Sequence, residues 1–245
     1  MIAFADGHYY EALVFDLYGT LAEIFKHSEY NRNLGAIIAA LGLDPGRFSE
    51  AWKGSWDAYP YGDYPSVKAR FDSALERYHG TGGYPRPEGL ELAIKLREDY
   101  IRGQNLKIKE GALDALEWAT REGYKIGMIS NCSTENALFW KESPLSKYFP
   151  DPTFSCIVKL KKPEPEIFLN ETNKLGVEPN HCIYIADGDD HEFDTARALG
   201  METILVKYSL DDAYRHQPFP HSEHTITHFS ELPALVSSLE RAKKR

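Results

Sequence analysis

Short apolar runs recur along the chain, and each ends on a polar or charged residue: ALVFD at Asp16, KIGMISN at Asn131, CIYIAD at Asp187 and ETILVK at Lys207. Apolar runs of this length predict strands buried on both faces. Between them, ALDALEWATREG, PEIFLNETNKLG and EFDTARALG carry helical spacing and close on Gly123, Gly176 and Gly200, where a glycine ends a helix. Strands alternating with helices predict an α/β fold built on a parallel sheet, whose ligands collect at the carboxyl ends of the strands. That rule makes Asp16, Ser130 and Asp187 the first candidates for chemistry.

Residues 23–105 break the rhythm. EYNRNLGAIIAALGL, RFSEAWKGSWDAY, SVKARFDSALERYHG and GLELAIKLREDYI predict successive helices separated by turns rich in Pro, Gly and Tyr. The expected organisation is therefore a parallel-sheet core from residues 1–22 and 106–245, with a helical cap, 23–105, inserted after the first strand to cover the strand ends. SELPALVSSLERAKKR predicts a closing helix whose basic end suits the helix dipole.

Composition narrows the partners. The chain has 245 residues and a formal charge of -9, which argues against nucleic acid or an anionic membrane as partner, because both call for a basic face. A small molecule is the expected partner, and composition leaves the oligomeric state open. Cys132, Cys156 and Cys182 are odd in number and far apart, predicting neither a disulfide framework nor a zinc site. The first residues, MIAFADGHYYEALVF, lack a basic region followed by a long apolar stretch, so a cytoplasmic location is expected.

Four segments carry candidate chemistry: DLYGTL at 16–21, ISN at 129–131, KKPEPEIF at 161–168 and ADGDDHEFDTARALGM at 186–201. Alone, Asp16 would be a turn residue opening a Gly-Thr bend, and Ser130 and Asn131 would be ordinary strand-end residues. In this order the four resemble the signatures of the haloacid dehalogenase superfamily, over nearly the whole chain. The resemblance implies a Rossmann-like core with an inserted helical cap, and hydrolysis through an aspartate nucleophile. It makes Asp16 the nucleophile, Thr20 and Ser130 hydrogen-bond donors, Asn131 a substrate-binding residue, and Lys162, the lysine directly before Pro163, the partner of nucleophile and bound anion. A carboxylate attacks poorly unless it is positioned and its target's charge is neutralised, so such partners are chemically required.

The acidic fourth segment favours a metal. Carboxylates of Asp187, Asp189, Asp190 and Glu192 opposite Lys162 would repel one another and an anionic substrate unless a cation sat among them. By resemblance to the phosphatase branch, Mg²⁺ would be held by Asp16, the backbone carbonyl of Tyr18 and Asp187. Asp189 and Asp190 also read as caps of the following helix. Tyr18 points the other way, because phosphatases of this family carry a second Asp there as acid and base, and DLYGTL is a dehalogenase spelling. Yet the dehalogenases' carboxylate-binding Arg has no clear counterpart: alignment puts Lys53 there, Arg47 is displaced, and Phe168 replaces a Tyr.

The leading expectation is an Mg²⁺-dependent phosphohydrolase acting on a small phosphorylated metabolite through a phospho-Asp16 intermediate. A metal-independent 2-haloacid dehalogenase and a catalytically silent binding protein of the same fold are its rivals. Trp52, Trp56, Tyr59, Tyr61 and Tyr64 are expected in the core of the cap rather than on its substrate side. His216, His221, His224 and His228 are expected in a solvated loop.

Overall fold

In a computed structural model of the chain, described for residues 7–55, 64–80 and 88–244, six strands form one sheet in the order β3-β2-β1-β4-β5-β6. They are β1 (Ala12–Phe15), β2 (Lys125–Ser130), β3 (Thr153–Phe154), β4 (Cys182–Ala186), β5 (Glu202–Val206) and β6 (Thr225–Ile226), and every neighbouring pair is parallel. The continuous apolar runs follow from burial on both faces. Leu13 and Phe15 of β1 enter one apolar cluster with Ile183 and Ile185 of β4, whereas Ala12, Val14, Tyr184 and Ala186 enter a second cluster on the opposite face.

Helices α1 (His27–Leu41), α2 (Pro45–Gly54), α3 (Val67–His79) and α4 (Leu90–Asn105) lie between β1 and the rest of the sheet. The remaining helices are α5 (Ala112–Arg121), α6 (Thr134–Leu138), α7 (Ser155–Val158), α8 (Pro165–Leu175), α9 (Glu192–Ala198) and the closing α10 (Leu232–Lys243). Local signals set their ends. Asp44 and Ser66 accept hydrogen bonds from the first turns of α2 and α3, and Gly42 and Gly176 stop α1 and α8 in the left-handed region.

Helices α1–α4 bury a third apolar cluster of their own, centred on Ile37, Phe48, Trp52, Phe71 and Leu75. Among the described residues no helix is long and apolar enough to cross a membrane. The topology locates the site. The chain runs outward from β1 through β2 to β3, then returns to lay β4 on the other flank of β1, so the order reverses between β1 and β4 and opens a crevice beyond their carboxyl ends. Asp16 and Asp187 are the residues that directly follow these two strands.

Phe71 is fully buried and packs at a tilt of 49° against Trp52, with ring centroids 5.0 Å apart. Phe71→Ala is expected to cost about 3–5 kcal/mol of stability through the cavity it leaves. Chemical denaturation measures the loss, and hydrogen exchange should place the weakened amides in α1–α4 rather than in the sheet.

Candidate active site

Asp16 is 4% exposed and held from three sides. Its amide donates to Ile185 O at 2.9 Å, the Thr20 hydroxyl donates to its Oδ2 at 2.9 Å, and Lys162 Nζ donates to its Oδ1 at 2.5 Å. The turn that returns Thr20 to Asp16 needs Gly19: its φ is +84°, and a Cβ there would stand 2.2 Å from Asp187 Oδ2. Lys162 is fixed by its backbone, since Asn131 Oδ1 accepts from its N–H at 2.8 Å and Asn131 Nδ2 donates to its carbonyl at 3.1 Å. The Lys162 ammonium also lies 3.1 Å from Asp190 and 3.8 Å from Glu192. Burial works against its charge, but the Asp16, Asp190 and Glu192 carboxylates outweigh burial and hold its pKa well above the ordinary lysine value. Burial likewise lifts the Asp16 carboxyl, with the Lys162 ammonium and Thr20 hydroxyl pulling against it. Glu192, wholly buried, is pushed up to about 8 by desolvation against the pull of Lys162.

Asp187 is held by a different set of donors. Its Oδ2 accepts from the Tyr208 hydroxyl at 2.6 Å and from Arg215 Nη1 at 2.6 Å, and its Oδ1 accepts from the Asp189 amide at 3.1 Å. Burial first, and the Asp16 charge second, raise its pKa to about 7, against the pull of Arg215 and Tyr208. The expected Mg²⁺ ligands therefore do not fit that ion as they stand. Asp187 Oδ2 already accepts two hydrogen bonds, one of them from the Arg215 guanidinium, and Mg²⁺ would have to share that carboxylate with a permanent cation while demanding near-octahedral oxygen donors. Among the described residues no group of three or more His, Cys, Asp or Glu side chains is disposed to hold a metal ion.

Asp16 and Asp187 open onto a cavity of about 440 Å³ whose wall also includes Arg70 of α3 and Arg97 of α4. The two arginines share one carboxylate. Glu135 Oε2 accepts from Arg70 Nη1 at 3.0 Å and from Arg97 Nε and Nη2 at 2.9 and 2.7 Å, leaving Oε1 buried without a hydrogen-bond partner. Arg70 lies 4.2 Å above the Trp52 ring and donates through Nε to Ser55. The triad carries one net positive charge facing the cavity. The Tyr100 hydroxyl, on a ring that lines the same cavity, is also buried without a partner among the described residues.

The structure thus brings Asp16, Tyr18, Ser130, Asn131, Lys162 and Asp187 to one cavity, with Thr20 directly behind Asp16. Tyr18 is tied back by its hydroxyl, which donates to Asn105 Oδ1 at 2.6 Å and accepts from Asn136 Nδ2 at 2.7 Å. Lys53 is a correction: it is 70% exposed, pairs with Glu50 one helical turn earlier, and is absent from the cavity wall. Arg47 stacks on Tyr78 instead, 4.6 Å from the ring centroid. Trp52 is buried within the helical cluster, Tyr64 bonds to Ser73, and Trp56, Tyr59 and Tyr61 lie outside the described residues. Asp189 accepts from the backbone of His216 and Gln217 rather than capping α9, and His216 lines the cavity.

Sequence reasoning missed Arg70, Arg97, Glu135, Tyr208 and Arg215. A signal existed for the first two: Arg70 falls in the stripe Val67, Arg70, Phe71, Ala74, and Arg97 in the stripe Leu90, Ala93, Arg97, Ile101, where a cation is out of place on an apolar face. Tyr208 and Arg215 come from the segment between β5 and β6, where no periodicity points to them.

The family model described as haloacid dehalogenase-like hydrolase matches residues 10–200, and the chain belongs to that family. It is similar to (S)-2-haloacid dehalogenase 4A of Burkholderia cepacia, 25% identical over 239 residues, covering 94% of this chain and 97% of the relative. It is also similar to the glyceraldehyde 3-phosphate phosphatase of Methanopyrus kandleri, 24% identical over 140 residues, covering 56% and 58% of the two chains. The fold matches the crystal structure of a 2-haloacid dehalogenase from Pseudomonas syringae with a TM-score of 0.67 at 20% identity, over 94% of this chain and 99% of that one. Relatives named for both chemistries thus resemble this chain.

Because the site is assembled around the Gly19 turn, Gly19→Ala is expected to displace Asp187 or strain the turn, lowering the thermal midpoint by several degrees. A calorimetric scan beside wild type checks it; an unchanged midpoint would mean that the turn is not under this constraint.

Proposed function

We propose that this hydrolase cleaves a small phosphorylated metabolite through an aspartyl-phosphate formed on Asp16. The observation that carries the reading is the placement of a buried carboxylate, ion-paired to Lys162 at 2.5 Å, in a cavity whose wall bears the buried cations Arg70 and Arg97. Asp16 attacks phosphorus, the bond from phosphorus to the ester oxygen breaks, and the leaving oxygen departs with that electron pair and takes its proton from solvent. Water then attacks the aspartyl-phosphate and releases inorganic phosphate. Lys162 neutralises charge on the nucleophile and on the transferring group, while the arginine wall holds the substrate's anionic part; such fixed cations suit a transition state with charge on its equatorial oxygens. A cavity of about 440 Å³ is of metabolite size and exceeds what a three-carbon haloacid fills.

The second reading, a 2-haloacid dehalogenase, is favoured by one observation: Asp187 is already engaged by Arg215 and Tyr208, which suits a reaction without metal. There Asp16 would displace halide from C2, and water would hydrolyse the resulting ester. Parallel assays on a phosphate-ester panel and on L-2-chloropropionate, each with Mg²⁺ and with chelator, separate the two. Phosphate release without halide release is expected, and halide release alone would replace the phosphatase reading. Asp16→Asn should lower turnover on the order of 10⁴-fold or more with the fold intact, because an amide keeps the shape but not the nucleophilicity. Near-wild-type turnover in that variant would remove Asp16 from the mechanism.

Leaving groups give a further check. The hydroxyl of Tyr18 is spent on Asn105 and Asn136, and no carboxyl stands at that position to protonate an alkoxide. A positioned general acid contributes roughly 10²- to 10⁴-fold, so aryl and acyl phosphates should turn over faster than alkyl phosphates. Tyr18→Asp should raise kcat on an alkyl phosphate more than on p-nitrophenyl phosphate. Equal wild-type rates on both esters, with no selective gain in the variant, would show that another residue supplies the proton.

A further inference from the structure

Asp187 is the carboxylate through which the motif resemblance implies a divalent ion, and a guanidinium holds it. Arg215 is fixed on every side. Its Nη1 donates to Asp187 Oδ2 at 2.6 Å and to the Tyr208 hydroxyl at 2.8 Å, and its Nε donates to Gln217 O at 2.9 Å. Nη2 lies 3.4 Å from the Asp187 carbonyl and 3.7 Å from Asp189 Oδ1. The guanidinium carbon sits 4.3 Å above the Phe219 ring, and the side chain is 5% exposed. An arginine cannot shed its proton in a protein, so this charge is permanent.

We propose that Arg215 is a resident counter-cation: it compensates Asp187 from behind, supplying the charge balance a bound Mg²⁺ would otherwise give, and the chain holds its anionic substrate without a divalent ion. The proposal rests on the reading of Asp16 as nucleophile toward an anionic substrate. Three physical points carry it. A divalent ion at Asp187 would have to share its ligand with a guanidinium 2.6 Å away, and the two cations repel. Moving Arg215 aside would break its bonds to Tyr208 and Gln217 and leave a buried cation without its carboxylate. Mg²⁺ gives up water reluctantly and gains little from a carboxylate whose oxygens are already hydrogen-bonded. Arg215 does not line the cavity, so it acts through Asp187 as a positioning residue. It lies beyond residues 10–200, the segment matched by the family model.

The test titrates Mg²⁺ alone into the whole chain and reads heat. Wild type should show no binding at millimolar Mg²⁺, Arg215→Gln should gain binding, and the double variant Arg215→Gln with Asp187→Asn should lose it again. A structural role for Arg215 would not create a metal site. Arg215→Lys, which keeps the charge, should remain without Mg²⁺ binding and serves if the glutamine variant does not fold. Inorganic phosphate then probes the anion site: wild-type affinity should be the same in Mg²⁺ and in chelator, whereas Arg215→Gln should bind phosphate roughly tenfold more weakly in chelator, with Mg²⁺ restoring it. Mg²⁺ binding to wild type that Asp187→Asn abolishes would overturn the proposal, as would a folded Arg215→Gln that gains no metal site. The metal titration uses no substrate, so its result stands even if no phosphate ester is turned over; failure of the phosphatase reading shows separately, as absent turnover across the ester panel.

Discussion

Charge balance at the carboxyl ends of β1 and β4 is the constraint on which the site depends. Asp16, Asp187, Asp190 and Glu192 converge there, three of them buried, and a cluster of carboxylates withdrawn from water is unstable unless cations or protons offset it. The chain meets the demand with Lys162 against Asp16, Asp190 and Glu192, and with Arg215 against Asp187. Burial lifts the Glu192 pKa to about 8 and so relieves more of the charge. The backbone serves the same balance: Asn131 fixes Lys162, and Gly19 allows the turn to pass against Asp187.

A second balance stands across the cavity. Two arginines on Glu135 leave one positive charge among aromatic rings, facing the carboxylate floor. A small anion bound between the two would meet Lys162 on one side and Arg70 and Arg97 on the other. The helical insertion thereby places two cations on the wall of this cavity. Its cations are buried deeply enough to be worth far more than surface charges, and Glu135 keeps them from repelling each other.

Much of this was legible in the sequence. The runs that became β1, β2, β4 and β5 are apolar because both faces of the sheet are covered, and their terminal residues Asp16, Ser130 and Asp187 reach the site for the same topological reason. The strands Thr153–Phe154 and Thr225–Ile226 were not foreseen, since two residues give no period to detect. Lys53 was assigned by alignment, and it fails because its helical position faces solvent. Arg70 and Arg97 were visible as cations on apolar stripes. Arg215 was not, because its partnership with Asp187 is a long-range contact from an irregular segment.

The central claim is that Asp16 carries the covalent intermediate, and the most direct measurement is to trap it. The enzyme is mixed with an aryl phosphate in chelator, quenched in acid within one turnover, digested and mapped by mass spectrometry. The account predicts a phosphoryl group on the peptide containing Asp16, absent from Asp16→Asn. Turnover with no phosphoryl adduct, or an adduct on another residue, would contradict it.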